Sequence, residues 1–180
     1  YLLGLNAQLP DDIAVQEVRQ MPPGFHARFS AKGKHYQYRI WHAEARHPVE
    51  CRWAWHRYGP LDVDAMNQAA QHLVGHHDFE SFRSASCERD HARRTLHRVE
   101  VTRHGRHVHI DVEGTGFLKH MVRILSGNLV EVGSGKHPPD WIAEVRDARD
   151  RKAAGPTAPA HGLTLMQVFY EELGDAPREL

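Results

Sequence analysis

The sequence predicts an α+β fold, in which helices pack on one face of an antiparallel sheet. Three observations support this class. Several segments carry apolar residues at every second position, two of these segments flank a short glycine turn, and segments with apolar residues at helical spacing lie between them. At 180 residues, with 41% hydrophobic and 26% charged residues, the chain has the composition of an ordinary globular protein.

Two segments near the N terminus are predicted to be strands. Residues 11–20 alternate loosely between polar and apolar positions and end at a Met-Pro-Pro-Gly turn. Residues 34–42 alternate more regularly, with Tyr36, Tyr38 and Ile40 on one face. The second segment is therefore the better strand candidate.

The middle of the chain is predicted to form a helix and then a hairpin. Residues 61–75 carry small and apolar side chains at helical spacing, Asp62 or Asp64 can cap the N terminus, and a glycine ends the segment. Residues 98–112 contain two alternating segments on either side of a His-Gly turn, which is typical of a β-hairpin.

The last third of the chain is predicted to contain two helices and a strand. Residues 117–130 have the longest helical pattern, and a Pro-Pro-Asp sequence opens a second helix over residues 138–149. Residues 163–170 are predicted to form a closing strand. With no internal repeat or linker, residues 1–180 are predicted to be one domain.

Basic residues are clustered although the chain is neutral, with 23 Lys and Arg against 23 Asp and Glu. No acid occurs between Glu17 and Glu44, and seven Arg lie between residues 83 and 106. Lys119 and Arg123 are predicted to share one face of a helix, turned either to solvent or to a cleft that holds phosphate or carboxylate. Basic residues interleaved with aromatic ones are typical of surfaces that bind unpaired RNA.

Two glycine-containing segments are candidate anion sites. Gly114-Thr115-Gly116 follows a predicted strand and is expected to start the helix of residues 117–130, where free backbone amides favour an anion. A tight turn explains the same residues equally well. Residues 133–136 (GSGK) lack the spacing of a phosphate loop and are predicted to be a turn.

The composition argues against a metal site and a membrane segment. Although there are 16 His, no HExxH motif or Cys/His set with zinc spacing occurs, so we expect no metal. Cys51 and Cys87 are expected to be free thiols in a reducing cytoplasm. No apolar run reaches the roughly 18 residues that span a bilayer, so no membrane partner is expected.

Four stretches carry a family resemblance. "FHARFSA", "KHYQYRI", "HDFESFR" and "GTGFLKHMVRILSGNLVEVGSGK" occur in this order, and together the chain resembles the C-terminal part of the bacterial tRNA pseudouridine synthase A family. The resemblance implies a ferredoxin-like half of a cytoplasmic, homodimeric enzyme with a basic cleft. It also implies isomerisation of uridines to pseudouridine in the anticodon stem-loop, at tRNA positions 38–40, without metal or organic cofactor.

The resemblance assigns roles to individual residues. Tyr36 is expected to be catalytic, stacking on the flipped base and accepting the proton that leaves C5, and Arg123 is expected to be catalytic by orienting an Asp nucleophile. Phe117 is expected to pack beneath the site, and a plain core position is the favoured alternative for it. The residues expected to bind RNA are Tyr36, Arg28, Lys34, Arg83, Arg94 and Lys119.

The family's Asp nucleophile lies in a GRTDAG stretch, and this sequence contains no such stretch. Asp78, Asp90 and Asp111 do not match it, so we expect the nucleophile upstream of residue 1 and expect the chain alone to be inactive. A smaller departure is Ala92, where relatives usually carry Pro. Two alternatives remain open: a non-enzymatic RNA-binding module and a His-based metalloenzyme.

Overall fold

The computed structural model describes residues 1–171, which divide into two compact units. The first unit is Tyr1–Ser30, and the second begins at Ala31. In the first unit, helix α1 (Leu2–Asn6) is followed by irregular backbone. The side-chain amide of Asn6 fixes this backbone, because its Nδ2 donates to the carbonyl oxygen of Val15 (2.9 Å) and its Oδ1 accepts from the Val15 N–H (2.7 Å).

The strand predicted over residues 11–20 is wrong. None of residues 1–30, all of which the structure describes, lies in a strand. Alternation of polar and apolar residues determines which side chains would share a face if the segment were extended, but it does not provide backbone hydrogen bonds. A strand also needs a neighbouring strand to pair its backbone N–H and C=O groups, and the first unit has none.

A six-stranded sheet forms the framework of the second unit. Its strands are β1 (Gly33–His42), β2 (Trp55–Arg57), β3 (Gly75–Asp78), β4 (Arg93–His104), β5 (His107–Gly114) and β6 (Leu163–Phe169). The order is β2-β1-β5-β4-β3, with β6 also beside β1. The pairs are antiparallel except β1 with β2, which is parallel.

In the described part of the second unit, residues 31–171, the α-helices are α2 (Val63–Gln71), α3 (Met121–Gly133) and α4 (Trp141–Ala148). The succession β1-α2-β4-β5-α3-β6, with β6-β1-β5-β4 as neighbours in space, is a ferredoxin-like arrangement. The predicted α+β class is therefore confirmed.

The core lies between the helices and one face of the sheet. On β1 this face carries Tyr38 and Ile40, both fully buried. The neighbouring strand β5 contributes Ile110, which is paired with Tyr38. The buried residues of α2 and α3 belong to the same core. The other face of the sheet is polar, which agrees with the regular alternation along β1.

Helix α3 begins later than predicted. Phe117 and Leu118 continue the apolar pattern of the helix, but they lie in the segment before it, and His120 adopts a left-handed conformation (φ 60°) directly ahead of Met121. The prediction that Lys119 and Arg123 share a helix face is therefore wrong, because Lys119 precedes the helix.

Gly114-Thr115-Gly116 does not start a helix either. Gly114 ends β5, and helix α3 begins only at Met121. A Cβ on Gly114 would lie 2.6 Å from the carbonyl oxygen of Thr95, so close backbone packing explains this glycine. The helix-terminal anion site is therefore wrong, and so is the tight strand-to-helix turn, because six residues, 115–120, separate β5 from α3.

The other predicted elements form, but some of their bounds differ. Helix α2 ends at Gln71, so Gly75 does not end it and instead begins β3, and β4 begins at Arg93, before the predicted hairpin. Asp62, rather than Asp64, caps α2, because its Oδ1 accepts a hydrogen bond from the N–H of Ala65 (2.9 Å). Gly105 turns the hairpin between β4 and β5 with φ 62°, which favours glycine. No helix within residues 1–171 has the length and apolar character needed to cross a membrane.

Candidate active site

Tyr36 lies on the helix-covered face of β1, between two neighbouring strands. Val112 of β5 and Leu165 of β6 are its backbone partners, and β6 has a bulge at Met166 beside this position. The Tyr36 ring meets the Phe117 ring edge-on, with centroids 5.1 Å apart and an angle of 82° between the planes. Phe117 thus packs both against Tyr36 and against the hydrophobic core.

The chemistry of Tyr36 depends on its partial burial. Its side chain is half-buried, so part of the ring can be reached by a ligand. Burial raises the pKa of its phenol, which is therefore neutral at physiological pH. A neutral phenol can donate and accept hydrogen bonds, but strong proton acceptance requires the phenolate. A general-base role therefore needs surroundings that lower this pKa when substrate is bound.

The segment of residues 114–119 joins Tyr36 to a group of basic side chains. Phe117, in the middle of the segment, contacts Tyr36. Gly116 lies beside the side chain of Arg94, because a Cβ there would be 3.7 Å from its Cδ. Lys119, at the end of the segment, accepts a backbone hydrogen bond from Ser84 (3.2 Å). One short segment therefore contacts both the aromatic pair and the loop that follows Arg83.

Arg83 and Lys119 both form hydrogen bonds with neighbouring groups, but only Arg83 is paired with a carboxylate of the described residues. Arg83 forms an ion pair with Glu80 (2.8 Å) and donates to the carbonyl oxygen of Arg89 (3.0 Å). Lys119 donates to the carbonyl oxygen of Ser86 (3.5 Å). Glu80 partly neutralises Arg83, whereas within residues 1–171 no carboxylate pairs with Lys119 or Arg94.

Cys87 lies among these basic residues and responds to them. Burial by itself raises the pKa of the Cys87 thiol, but backbone N–H groups of Lys119 and Arg89 and the charges of Arg83 and Arg94 outweigh it. The pKa is consequently below its usual value. Arg83 and Arg94 therefore lie close enough to the Cys87 thiol to favour its ionised form.

Arg123 lies in the first turn of α3, and its Nε donates to the carbonyl oxygen of Ala158 (2.8 Å). Burial raises the pKa of the nearby Tyr38 phenol, and the charge of Arg123 partly opposes this rise. The same charge, together with that of Lys119, adds to burial in lowering the pKa of His120. Within residues 1–171, no hydrogen bond or ion pair occupies the two terminal nitrogens of Arg123.

The predicted site residues fall into both units. Arg28 belongs to the first unit, where its guanidinium carbon is 5.7 Å from the centroid of Phe29. Lys34 lies two positions before Tyr36 on β1, and its side chain is half-buried. The remaining predicted residues lie in the second unit, in the loop before β4, on β4, in the segment before α3 and in the first turn of α3. They are Arg83, Arg94, Lys119 and Arg123.

The acids within the chain occupy other positions. Asp111 lies on the sheet face opposite Tyr36, where its Oδ1 accepts hydrogen bonds from Gln37 (3.1 Å) and lies 2.7 Å from the Nε2 of His35. Asp78 accepts a hydrogen bond from the backbone N–H of Glu80 (3.1 Å). Asp90 is exposed in a loop. Asp111 is thus a structural carboxylate.

No group of three or more His, Cys, Asp or Glu side chains within the described residues 1–171 is arranged to hold a metal ion. A cavity of about 290 Å³ at the edge of β3 is lined by residues of β3, β4 and the end of α4, including Arg93, Arg146 and Arg149. It contains none of the predicted site residues.

Sequence reasoning missed two features of the site. The carbonyl oxygen of Ala158 binds Arg123, and no motif marks a backbone acceptor 35 residues away. The left-handed conformation of His120 was also missed. No residue pattern around His120 marks this conformation.

Comparison with known proteins identifies relatives over nearly the whole chain. A family model described as tRNA pseudouridine synthase matches residues 69–171. Proteins named tRNA pseudouridine synthase A from Myxococcus xanthus and Geotalea uraniireducens are each 47% identical, over 96% and 93% of this chain. One from Shigella boydii is 44% identical over 99% of this chain. The alignments cover 65%, 68% and 66% of these relatives, so the chain spans about two thirds of their length.

Proposed function

The chain belongs to the tRNA pseudouridine synthase family, and from this premise we propose that it supplies part of the active site of an enzyme that isomerises uridine to pseudouridine in tRNA. The observation that carries the proposal is the half-buried Tyr36–Phe117 pair, which lies next to basic side chains on one face of the sheet. An accessible aromatic ring among cations is suited to an unstacked base and its phosphates.

In this proposal each residue has a distinct task. The Tyr36 ring stacks on the flipped uracil. Its oxygen, deprotonated when the bound substrate lowers the pKa of the phenol, accepts the proton that leaves C5 and becomes a phenol again. The terminal nitrogens of Arg123 bind and orient the Asp nucleophile, which forms the covalent intermediate. Lys34, Arg94 and Lys119 bind phosphates, while Arg83 contributes less because Glu80 already pairs with it.

The nucleophile is the one component that these residues do not provide. No GRTDAG stretch occurs in the sequence, and Asp111 points to the opposite face of the sheet from Tyr36. We therefore propose that the complete protein carries the Asp in a segment upstream of residue 1, and that residues 1–180 alone do not catalyse the reaction.

The finer expectations from the sequence remain proposals. They are the anticodon stem-loop as the target, a homodimeric assembly and a cytoplasmic location. Light scattering of the purified complete protein tests the dimer. Mapping pseudouridine in a treated tRNA transcript by mass spectrometry tests the target, since the proposal expects it at positions 38–40 and not in the other arms.

The experiment that tests the function replaces Tyr36 by Phe in the complete protein. We expect kcat for tritium release from 5-tritiated uridine in tRNA to fall by about 10²- to 10⁴-fold, with tRNA affinity changed less than about twofold. Tyr58→Phe is the matched control, because Tyr58 is exposed and its loss should leave kcat unchanged. Unchanged turnover by Tyr36→Phe would favour the alternative of a non-enzymatic RNA-binding role for this surface.

A further inference from the structure

Residues 154–162 run along helix α3, and we call this segment the strap. Near its start, the N–H of Gly155 donates to Oδ1 of the buried Asn128 (2.8 Å), and the Asn128 amide in turn donates to Ile124 (2.7 Å). The strap lies directly against the helix at Gly127, since a Cβ there would come 2.0 Å from the carbonyl oxygen of Pro156. The glycine at this position therefore permits the contact.

The same strap forms two hydrogen bonds with Arg123. Its Ala158 carbonyl accepts the hydrogen bond of the Arg123 Nε (2.8 Å), and its Ala158 N–H donates to the Arg123 carbonyl oxygen (3.0 Å). Next to this pair, the fully buried Tyr38 donates its phenolic hydrogen to Pro159 (2.8 Å). At the end of the strap, Gly162 packs closely on the Tyr38 ring.

Arg151 fixes the beginning of the strap from outside. One terminal nitrogen of its guanidinium donates to the carbonyl oxygens of Ala154 and Gly155, both at 3.1 Å. The other terminal nitrogen donates to the hydroxyl of Thr157 at 3.2 Å. The strap is thus held at both ends, with Ala158 between them.

We propose that the strap positions the guanidinium of Arg123 for its carboxylate partner. A guanidinium can bind a carboxylate through its two terminal nitrogens, or sideways through Nε and one terminal nitrogen. Because Nε already donates to the Ala158 carbonyl oxygen, a carboxylate cannot bind through Nε. The same hydrogen bond fixes the plane of the guanidinium before the carboxylate binds. Arg123 then offers only its terminal pair. Gly127 and Arg151 are positioning residues, and this inference rests on the proposed function.

The test replaces Gly127 by Ala in the complete protein, which displaces the strap at Pro156. We expect kcat for tritium release to fall by about 10- to 100-fold, because a small misplacement of the fork weakens its hold on the nucleophile. KM for tRNA should stay within about twofold, since no RNA contact is altered. Gly133→Ala is the matched control: it is the same substitution in the same helix, and its new Cβ meets Met66 instead of the strap.

A double-mutant cycle separates positioning from general destabilisation. In an Arg123→Lys background, which has no Nε for Ala158 to hold, Gly127→Ala should reduce kcat no further. Arg151→Gln provides a second route, because it loosens the strap without introducing a clash, and it should show the same dependence on Arg123.

Three outcomes decide the matter. Loss of kcat by the strap variants, abolished in the Lys background, supports the inference. Wild-type kcat in Gly127→Ala or Arg151→Gln, or an equal loss with and without Arg123, overturns it while the proposed function stands. If the unaltered complete protein releases no tritium, the proposed function fails and the role of the strap fails with it.

Discussion

The ring of Phe117 meets the ring of Tyr36 edge-on, although the two residues are far apart in the sequence. Phe117 belongs to the short segment between β5 and α3, and that segment also contacts Arg94 and the loop after Arg83. The position of the Tyr36 phenol is therefore coupled to the neighbouring basic side chains through one aromatic contact.

Replacing Phe117 by Leu tests this coupling. Leu keeps most of the apolar volume but loses the aromatic edge, a contact worth about 0.5–1.5 kcal/mol. We expect kcat/KM of the complete protein to fall by about 2- to 10-fold, since each 1.4 kcal/mol is a factor of ten. Steady-state tritium release measures this. An unchanged kcat/KM in a variant that remains folded would show that the contact does not matter for catalysis.

Arg94 and Arg83 should differ in their contribution to tRNA binding. Arg94 has no carboxylate partner within residues 1–171, whereas Arg83 is paired with Glu80. We expect Arg94→Gln to weaken tRNA binding and to reduce the slope of log K against log salt by about 1, and Arg83→Gln to do so less. Filter binding across a salt series provides the measurement. The exposed Arg46, beyond the end of β1, is the control for loss of one charge; an equal effect of Arg46→Gln would contradict a localised site.

Asp111→Asn separates a structural acid from a catalytic one. We expect kcat within about twofold of wild type, because Asp111 faces away from Tyr36, and a loss of about 1–2 kcal/mol in the free energy of unfolding at pH 7. Burial alone would raise the pKa of Asp111, but its contacts with His35 and Gln37 lower it below the usual 3.8.

The sign of the pH dependence follows from this lowered pKa. The stability that Asp111 provides is complete above its unfolded pKa and disappears as pH falls through the folded value. The difference in unfolding free energy between wild type and Asp111→Asn should therefore shrink below about pH 3.8. Urea titrations at several pH values measure it. A large loss of kcat in the variant would contradict the structural role.

Tyr38 should make the free energy of unfolding depend on pH above pH 10. Burial raises its pKa above the usual 10.0, so above pH 10 the unfolded chain loses this proton while the folded chain keeps it. The stability that depends on Tyr38 is complete below pH 10 and falls as pH rises further, by up to about 1.4 kcal/mol per pH unit. Tyr38→Phe should be less stable near neutrality, because Pro159 loses its donor, but should decline less steeply above pH 10. Urea titrations between pH 7 and pH 11 measure this. An equal fall of the unfolding free energy with pH in wild type and Tyr38→Phe would contradict this account.

The sequence was a good guide where a pattern is local. Strand β1, helix α2 and the hairpin have regular periods, marked ends and the turn residues that those ends need. It failed over residues 11–20, where alternation was present but no partner strand was available. It also failed at the start of α3. Phe117 and Leu118 continue the apolar spacing of the helix, but they pack against the core from the non-helical segment before it.

The site was predictable as a set of residue types and only partly as an arrangement. Family motifs nominated Tyr36 and Arg123, and charge clustering nominated the basic residues around them. The contact of Arg123 with Ala158 and that of Tyr36 with Phe117 arise from the packing of distant segments. Neither periodicity nor spacing along the chain contains such information.

The central claim is that residues 1–180 supply Tyr36 and Arg123 to a site whose nucleophile lies outside them. The most direct test is tritium release from 5-tritiated uridine in tRNA, measured for residues 1–180 alone and for the same residues preceded by the upstream segment. We predict release by the longer protein and none by residues 1–180. Release by residues 1–180 alone, or none by the longer protein, would contradict the claim.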